Sequence, residues 1–402
     1  MKKRLLVMAM AGVALAGCVS DEVAEVVQKN EQVKITFDSP IMYNKAESRA
    51  NVHGEIGSYT YEGTTATYSY PRAEDFKIYA VSHTGNLTTW ATAEVAEFNG
   101  NSLSYDDNVD GWAPKQVDDP TTSDVNEAGK YYVWPSGKKM SFAASSPAEL
   151  ENDEITRSYG SAGLTISNFQ VASDAAIHYD LMYSHRTVNK TSADMDHGAS
   201  YYSGIPIVFR HALSSIRFSI SNQTFPDHEI VLTGITLKGD IIKGSFAENL
   251  DENSTHTDQN GVLHYSVNPT WTLTDVRNTT GYTAFSGSVV AKKEPQYVAA
   301  LAAAANTNTC NQLLLLPQDL TENIVVEISY TIDGESHTKT VTLADLKNLN
   351  DDSINEWEMG YRYTYRLVYT EETVSKDLIY FSPSSDGWLE DEENGVIVVN
   401  LQ

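Results

Sequence analysis

Val326-Glu327-Ile328-Ser329-Tyr330-Thr331-Ile332-Asp333-Gly334-Glu335-Ser336-His337-Thr338-Lys339-Thr340-Val341-Thr342-Leu343 decides the fold class. Ile328, Tyr330 and Ile332 alternate with polar residues, so one face of an extended segment is apolar and the other meets water. Asp333-Gly334 tolerates the positive φ values of a tight hairpin turn, and Thr338-Lys339-Thr340-Val341 runs back rich in β-branched residues. The segment reads as a β-hairpin.

The same period-two signal recurs on both sides. Upstream it is carried by residues 33–37, 75–81, 131–134, 140–143, 205–209, 213–220, 229–237 and 313–316. Downstream it returns in 361–369, 378–381 and 396–401, and 23 tyrosines add to the strand preference. Helical candidates are few: residues 343–349 and 298–305. Many short strands with turn residues at intervals of about ten positions predict an all-β chain of β-sandwiches. Polar loops cover 99–129 and 189–204, and strand patterning restarts at Ile205. The expected organisation is therefore 50–204 as an N-terminal β-sandwich domain and 205–402 as a C-terminal one.

Met1-Lys2-Lys3-Arg4 is a short basic segment, followed from Leu5 to Ala16 by an apolar run. That run suits a signal peptide and is too short to span a bilayer. Leu15-Ala16-Gly17-Cys18 resembles the lipobox read by lipoprotein signal peptidase, which makes 1–17 a signal peptide and Cys18 the lipidated residue. Asp21-Glu22 behind it resembles the signal that sends Bacteroidales lipoproteins to the outer face of the outer membrane. Residues 18–49 are then a lipidated N-terminal propeptide.

The chain holds 28 Lys+Arg against 54 Asp+Glu, a formal charge of -26. A field of that sign repels nucleic acid and anionic lipid and argues against a nucleic-acid partner. With Cys18 lipidated, Cys310 is left without a disulfide partner. There is no Gly-x-Ser-x-Gly and no His-x-x-x-His, so neither a hydrolase nucleophile nor a zinc ligand set is indicated. His211 reads as a packed strand residue. Asp106-Asp107-Asn108-Val109-Asp110-Gly111 matches half of a calcium loop, but Val117 stands where a bidentate Glu is needed. It reads as a turn. No enzyme, metal or cofactor is expected.

Two segments at opposite ends share one pattern. Val33, Ile35 and Phe37 alternate with Lys34 and Thr36, and Ile397, Val399 and Leu401 of Val396-Ile397-Val398-Val399-Asn400-Leu401 alternate with Val398, Asn400 and Gln402. Both suit an edge slot that takes about three apolar side chains. Between the first of them and the body lies Ala46-Glu47-Ser48-Arg49-Ala50-Asn51, a polar segment open to a trypsin-like cut between Arg49 and Ala50, with Arg72 a second possible cut. The plainer alternatives are that 396–401 is the last strand of its own domain and Arg49 an ordinary linker residue.

Taken in order, the lipobox, Ile35-Thr36-Phe37-Asp38, Arg49, Asp75-Phe76-Lys77-Ile78-Tyr79-Ala80, Tyr132-Val133-Trp134-Pro135, Met140-Ser141-Phe142, Phe209-Arg210-His211-Ala212-Leu213-Ser214-Ser215-Ile216 and Trp357 to Tyr365 resemble the fimbrillins, the pilins of Bacteroidales. The resemblance implies two transthyretin-like β-sandwich domains and export as a lipoprotein. It also implies that an arginine-specific protease removes the first strand (Val33, Ile35, Phe37), and that the opened groove accepts a strand from the next subunit. Val396, Ile397, Val398, Val399 and Leu401 are the donor that this implies. The implied partners are other fimbrillin subunits, the maturation protease, outer-membrane lipid and a host or bacterial surface ligand. A rival reading is a non-polymerising, glycan-binding surface lipoprotein, with Trp90, Trp112 and Trp271 near loop signals as stacking platforms.

Overall fold

The computed structural model describes residues 41–43, 59–61, 64–66 and, with short gaps, 75–112, 132–195, 205–257, 263–299, 309–346, 354–370 and 380–387. The described residues belong to one compact unit.

The hairpin that sets the fold class is present. Val325–Ile332 pairs antiparallel with Glu335–Thr342, and Ile332 lies opposite Glu335. Asp333 (φ 49°) and Gly334 (φ 92°) both take the left-handed conformation that a two-residue turn of this hand requires. Val326, Ile328 and Tyr330 are buried, while Glu335, Ser336 and Thr338 are exposed on the returning strand. The fold is all-β.

Four larger sheets carry the architecture. A seven-stranded sheet runs in the order Ile41–Tyr43, Val208–His211, Met182–Ser184, Lys139–Ser146, Phe76–His83, Val95–Leu103, with Thr187–Lys190 also on Lys139–Ser146. A four-stranded sheet is ordered Thr270–Arg277, Ile241–Ala247, Gly163–Gln170, Thr156–Gly160. Two five-stranded sheets follow. One is centred on Ser214–Asn222 and Tyr361–Tyr369, which run parallel, and the other on Ile230–Lys238 between Tyr282–Val290 and Val325–Ile332.

The central strands Phe76–His83 and Lys139–Ser146 are buried on both faces. Phe76, Ile78 and Ala80 join Phe98, Trp112, Phe142 and Phe209 in one cluster. Tyr79, on the opposite face, joins Tyr183, Leu164, Ile166 and Phe246 of the second and larger cluster. Tyr183 meets Phe246 at 5.0 Å between ring centroids, which packs the four-stranded sheet on the seven-stranded one. The larger cluster continues through Ile216, Phe218, Ile220, Tyr365 and Leu367 to Leu232, Ile235, Ile328 and Tyr330, which fill the space between the five-stranded sheets.

Two local expectations are corrected. Residues 343–349 were expected to be helical over two turns, yet the described part is a single 3-10 turn, Leu343–Asp345. The Leu343 N–H donates to Ile324 O and the Leu346 N–H to Leu343 O, which closes one tight turn; residues 347–349 lie outside the described residues. Tyr132 and Trp134 are not in a strand. Trp134 enters a turn in which its Nε1 donates to Lys138 O at 2.8 Å and Gly137 takes φ 68°, so a strand cannot continue. Strands also pair across residue 204: Val208–His211 belongs to the seven-stranded sheet, and Ile241–Ala247 pairs with Gly163–Gln170.

Candidate functional site

Cys18, the Val33, Ile35 and Phe37 triplet, Arg49 and Ala50, and Val396, Ile397, Val398, Val399 and Leu401 lie outside the described residues, as do 107–110 of the turn that resembles a calcium loop. Among the described residues, no three His, Cys, Asp or Glu side chains are placed to hold a metal ion.

The described strand nearest Arg49 on its N-terminal side is Ile41–Tyr43. It lies parallel to Val208–His211, with Ile41 opposite Val208, Met42 opposite Phe209 and Tyr43 opposite Arg210. Val208–His211 is held on its other side by Met182–Ser184, antiparallel, with Ser184 opposite Phe209. Ile41–Tyr43 is therefore the terminal strand, and without it the row of main-chain groups along Val208–His211 becomes an open edge. A parallel neighbour cannot be supplied by a hairpin, so tertiary contacts bring this strand to its place.

The strand it covers is strongly apolar. Ile205, Ile207, Val208 and Phe209 are buried, and Phe209 meets Phe76 edge-on at 5.4 Å and 78°. At its end His211 Nδ1 lies 2.8 Å from Asp180 Oδ1, which orients a buried imidazole as a packed strand residue. A three-residue ladder is cheap to break, because each hydrogen bond contributes only about 1 kcal/mol net. The edge combines a short strand with an apolar floor. No turn or alternation signal in the sequence marks Ile41-Met42-Tyr43 as a strand. Three apolar residues without a turn partner are too short a signal to find.

The three tryptophans of the rival reading are packed. Trp112 is fully buried, 6.2 Å from Phe76. Trp271 Nε1 donates to Ala212 O at 2.6 Å, and its ring lies 5.5 Å from Phe169 and 5.6 Å from Phe246. Trp90 meets Tyr159 edge-on at 4.7 Å, and the Arg186 guanidinium lies over it at 4.8 Å. Arg186 also covers Tyr159 and Tyr265 at 5.4 and 5.2 Å, and pairs with Glu252 at 2.6 Å. Trp112 is thus buried, while Trp90 and Trp271 are half-buried against neighbouring rings.

The strongly perturbed carboxyls are buried ones. Burial pushes Glu248 up to about 7 although its Oε2 accepts from Leu164 N at 2.8 Å, and Arg186 and Arg210 pull the other way. Burial likewise pushes Asp240 up to about 7, beside Asn278 and Arg277. Glu252 goes the other way. Burial opposes its ionisation, but hydrogen bonds from Thr89 Oγ1, Trp90 N and Arg186 hold its carboxyl below the ordinary range.

No curated protein matches the chain. The family model described as fimbrillin-like matches residues 64–380. Among solved structures, a fimbrial protein from Bacteroides vulgatus is similar at 17% identity and a TM-score of 0.45, covering 78% of this chain and 93% of that one. The tip fimbrial protein Mfa3 from Porphyromonas gingivalis, with a C-terminal truncation, is similar at 11% identity and a TM-score of 0.32, over 79% and 95% of the two chains. With the family model spanning most of its length, the chain belongs to the fimbrillin-like family.

Proposed function

We propose that this protein is a pilin: a fimbrial subunit, displayed on the cell surface and serving adhesion, that assembles head-to-tail by protease-triggered strand exchange. In this reading Cys18 carries the lipid that holds the precursor in the outer membrane. An arginine-specific protease cuts between Arg49 and Ala50, and the freed subunit enters the fimbrium. The two-domain division near residue 204, with strands shared across it, is part of the same proposal, as is the transthyretin-like form of each domain.

The observation that supports it is the position of Ile41–Tyr43 at the end of the seven-stranded sheet, on the lipid side of Arg49. A cut at Arg49 frees that strand together with Val33, Ile35 and Phe37. The edge of Val208–His211 is then open to strand addition by Val396, Ile397, Val398, Val399 and Leu401 of the next subunit. Three or four aliphatic side chains buried at about 1.5–3 kcal/mol each make the joint persistent. Head-to-tail contacts are heterologous and do not close, so the product is a filament. Related fimbrillin chains, the protease and a surface ligand are the partners; no cofactor or nucleic acid enters.

Limited digestion with an arginine-specific protease, followed by N-terminal sequencing and sizing, tests the reading. The expected result is a new N-terminus at Ala50 and a ladder of oligomers. A clean cut that leaves a stable monomer rules strand exchange out and leaves a non-polymerising surface lipoprotein.

A further inference from the structure

On the face of Phe76–His83 that carries Lys77 and Tyr79, the sheet opens into a hollow of about 350 Å³ lined by Lys77, Tyr79, Asn99, Gly100, Glu149 and Arg157, among others. Its cause is a bulge. Ile78 lies opposite Asn101 and Tyr79 opposite Asn99, so Gly100 is an extra residue with no partner. It takes φ 83°, directly over the Tyr79 ring, where a Cβ would come within 3.4 Å of Cε1. Such bulges bend a strand and re-aim its side chains, and they are over-represented at functional sites.

The lining is polar and holds two cations in a chain that has about two acids for every base. Arg157 rises from Thr156–Gly160 on the far side. Its Nη1 donates to Ser145 Oγ at 3.3 Å and to Pro147 O, and its Nη2 to Ala148 O. Three of five N–H groups are thereby used and two are left for a ligand. Lys77 Nζ lies 3.5 Å from Gly100 O and 3.3 Å from Glu149 Oε1, which also accepts from Ser102 Oγ at 3.3 Å. The Glu149 side chain is 83% exposed. An ion pair so exposed contributes little and is readily exchanged. Its carboxylate marks where a ligand carboxylate would be held. The Tyr79 ring forms the floor, and burial pushes its phenol up against the pull of Ser145 and Arg157.

We infer that this hollow is a binding site for an acidic hexose, a uronic acid residue of a glycan, with Lys77 and Arg157 on its carboxylate and Asn99 and Gly100 O on its hydroxyls. The size suits one or two sugar rings, near the lower end of small-molecule sites. A mixture of donors and acceptors suits a polyol better than a simple anion. The overall negative field does not prevent it, because charges beyond about 8–10 Å are screened at physiological salt while the two cations act at contact. The site supplies the surface-ligand side of the proposed adhesive role and stands or falls separately from strand exchange.

Calorimetric titration of the uncleaved full-length protein with glucuronate, glucose and acetate tests it. A single acidic sugar is expected to bind with a Kd of order 1 mM, about tenfold tighter than glucose and tighter than acetate. Lys77→Gln should abolish the preference for glucuronate over glucose, and Asn99→Ala should weaken both sugars, with unchanged thermal unfolding in each variant. Arg157→Gln is a poorer probe, since that guanidinium also ties down two backbone carbonyls. No saturable glucuronate binding below about 50 mM overturns the site. Equal binding of glucuronate and acetate reduces it to an anion contact, and equal binding of glucuronate and glucose removes the acidic specificity; either overturns the assignment. Retention of the preference in Lys77→Gln overturns its location. Because the uncleaved monomer is titrated, failure here leaves the assembly reading untouched, and a failed digestion leaves this one untouched.

Discussion

Arg186 Nη1 and Glu252 Oε1 stand 2.6 Å apart, and this ion pair ties the seven-stranded sheet to the Leu250–Thr257 and Leu263–Val267 hairpin. The Arg186 side chain is fully buried, its Nη2 donates to Gly160 O at 2.8 Å, and three aromatic rings surround it. The same Glu252 carboxylate accepts from Trp90 N at 2.7 Å and from Thr89 Oγ1. One carboxylate thus joins three separate segments.

Removing Glu252 leaves that guanidinium buried without its counter-charge. Glu252→Ala is expected to lose about 3 kcal/mol, read from the midpoint of urea unfolding. Arg186→Met with Glu252→Leu should lose less than the single change, since no charge is then stranded. A double variant as unstable as the single one would show that the guanidinium's packing on the rings matters more than its charge.

Glu248 sets a pH dependence of opposite sign. Its carboxyl is raised from 4.5 to about 7, so the folded state holds the proton more tightly than the unfolded one. Its contribution is fully present below about pH 4.5 and is lost as pH rises through 7. Asp240, raised from 3.8 to about 7, acts in the same direction. Glu248→Gln should therefore flatten the fall in stability between those pH values and make the protein more stable at pH 8 by about 2–3 kcal/mol. Unfolding curves collected from pH 4.5 to 8 decide it; an unchanged slope in the variant means Glu248 is not the titrating group.

Gly239 occupies the corner between Ile230–Lys238 and Ile241–Ala247, at φ 90°. A Cβ there would lie 1.7 Å from Asn323 O, a backbone atom that cannot rotate away. Gly239→Ala is expected to lose about 3 kcal/mol or more, from strain and overlap together. Gly334→Ala, where a Cβ meets nothing within 4 Å, should lose only about 1 kcal/mol from its left-handed conformation. Thermal unfolding of the pair separates clash from conformation.

The terminal strand offers a test of assembly that leaves Arg49 in place. Met42 lies opposite Phe209 in the parallel ladder, and proline brings no N–H to a strand. Met42→Pro should loosen Ile41–Tyr43, speed cleavage by an arginine-specific protease and shorten the lag before oligomers appear. Cleavage and oligomerisation at unchanged rates would mean this strand does not guard the edge.

The parts of the fold that were legible are those in which one face of a strand is buried and the other is wet. The 326–343 hairpin and Tyr361–Tyr369 show this, as their side-chain alternation is written directly in the residue order. Thr270–Arg277 and Leu250–Thr257 were not found, because threonine and polar residues fill much of both and no side chain of Thr270–Arg277 is fully buried. The burial of Trp112 was not legible, because neighbouring loop residues say nothing of which sheet folds over a ring.

By itself the sequence determined the all-β class and the turn at Asp333-Gly334, since local periodicity and turn chemistry act over a few residues and need no distant partner; the order of its motifs carried the resemblance to the family. Only the tertiary structure decided that Ile41–Tyr43 closes the seven-stranded sheet beside Val208–His211, that Arg186 meets Glu252, and that Gly100 bulges over Tyr79. Each of these is a contact between segments far apart in the chain, selected by which surfaces pack together, and no local pattern encodes that choice.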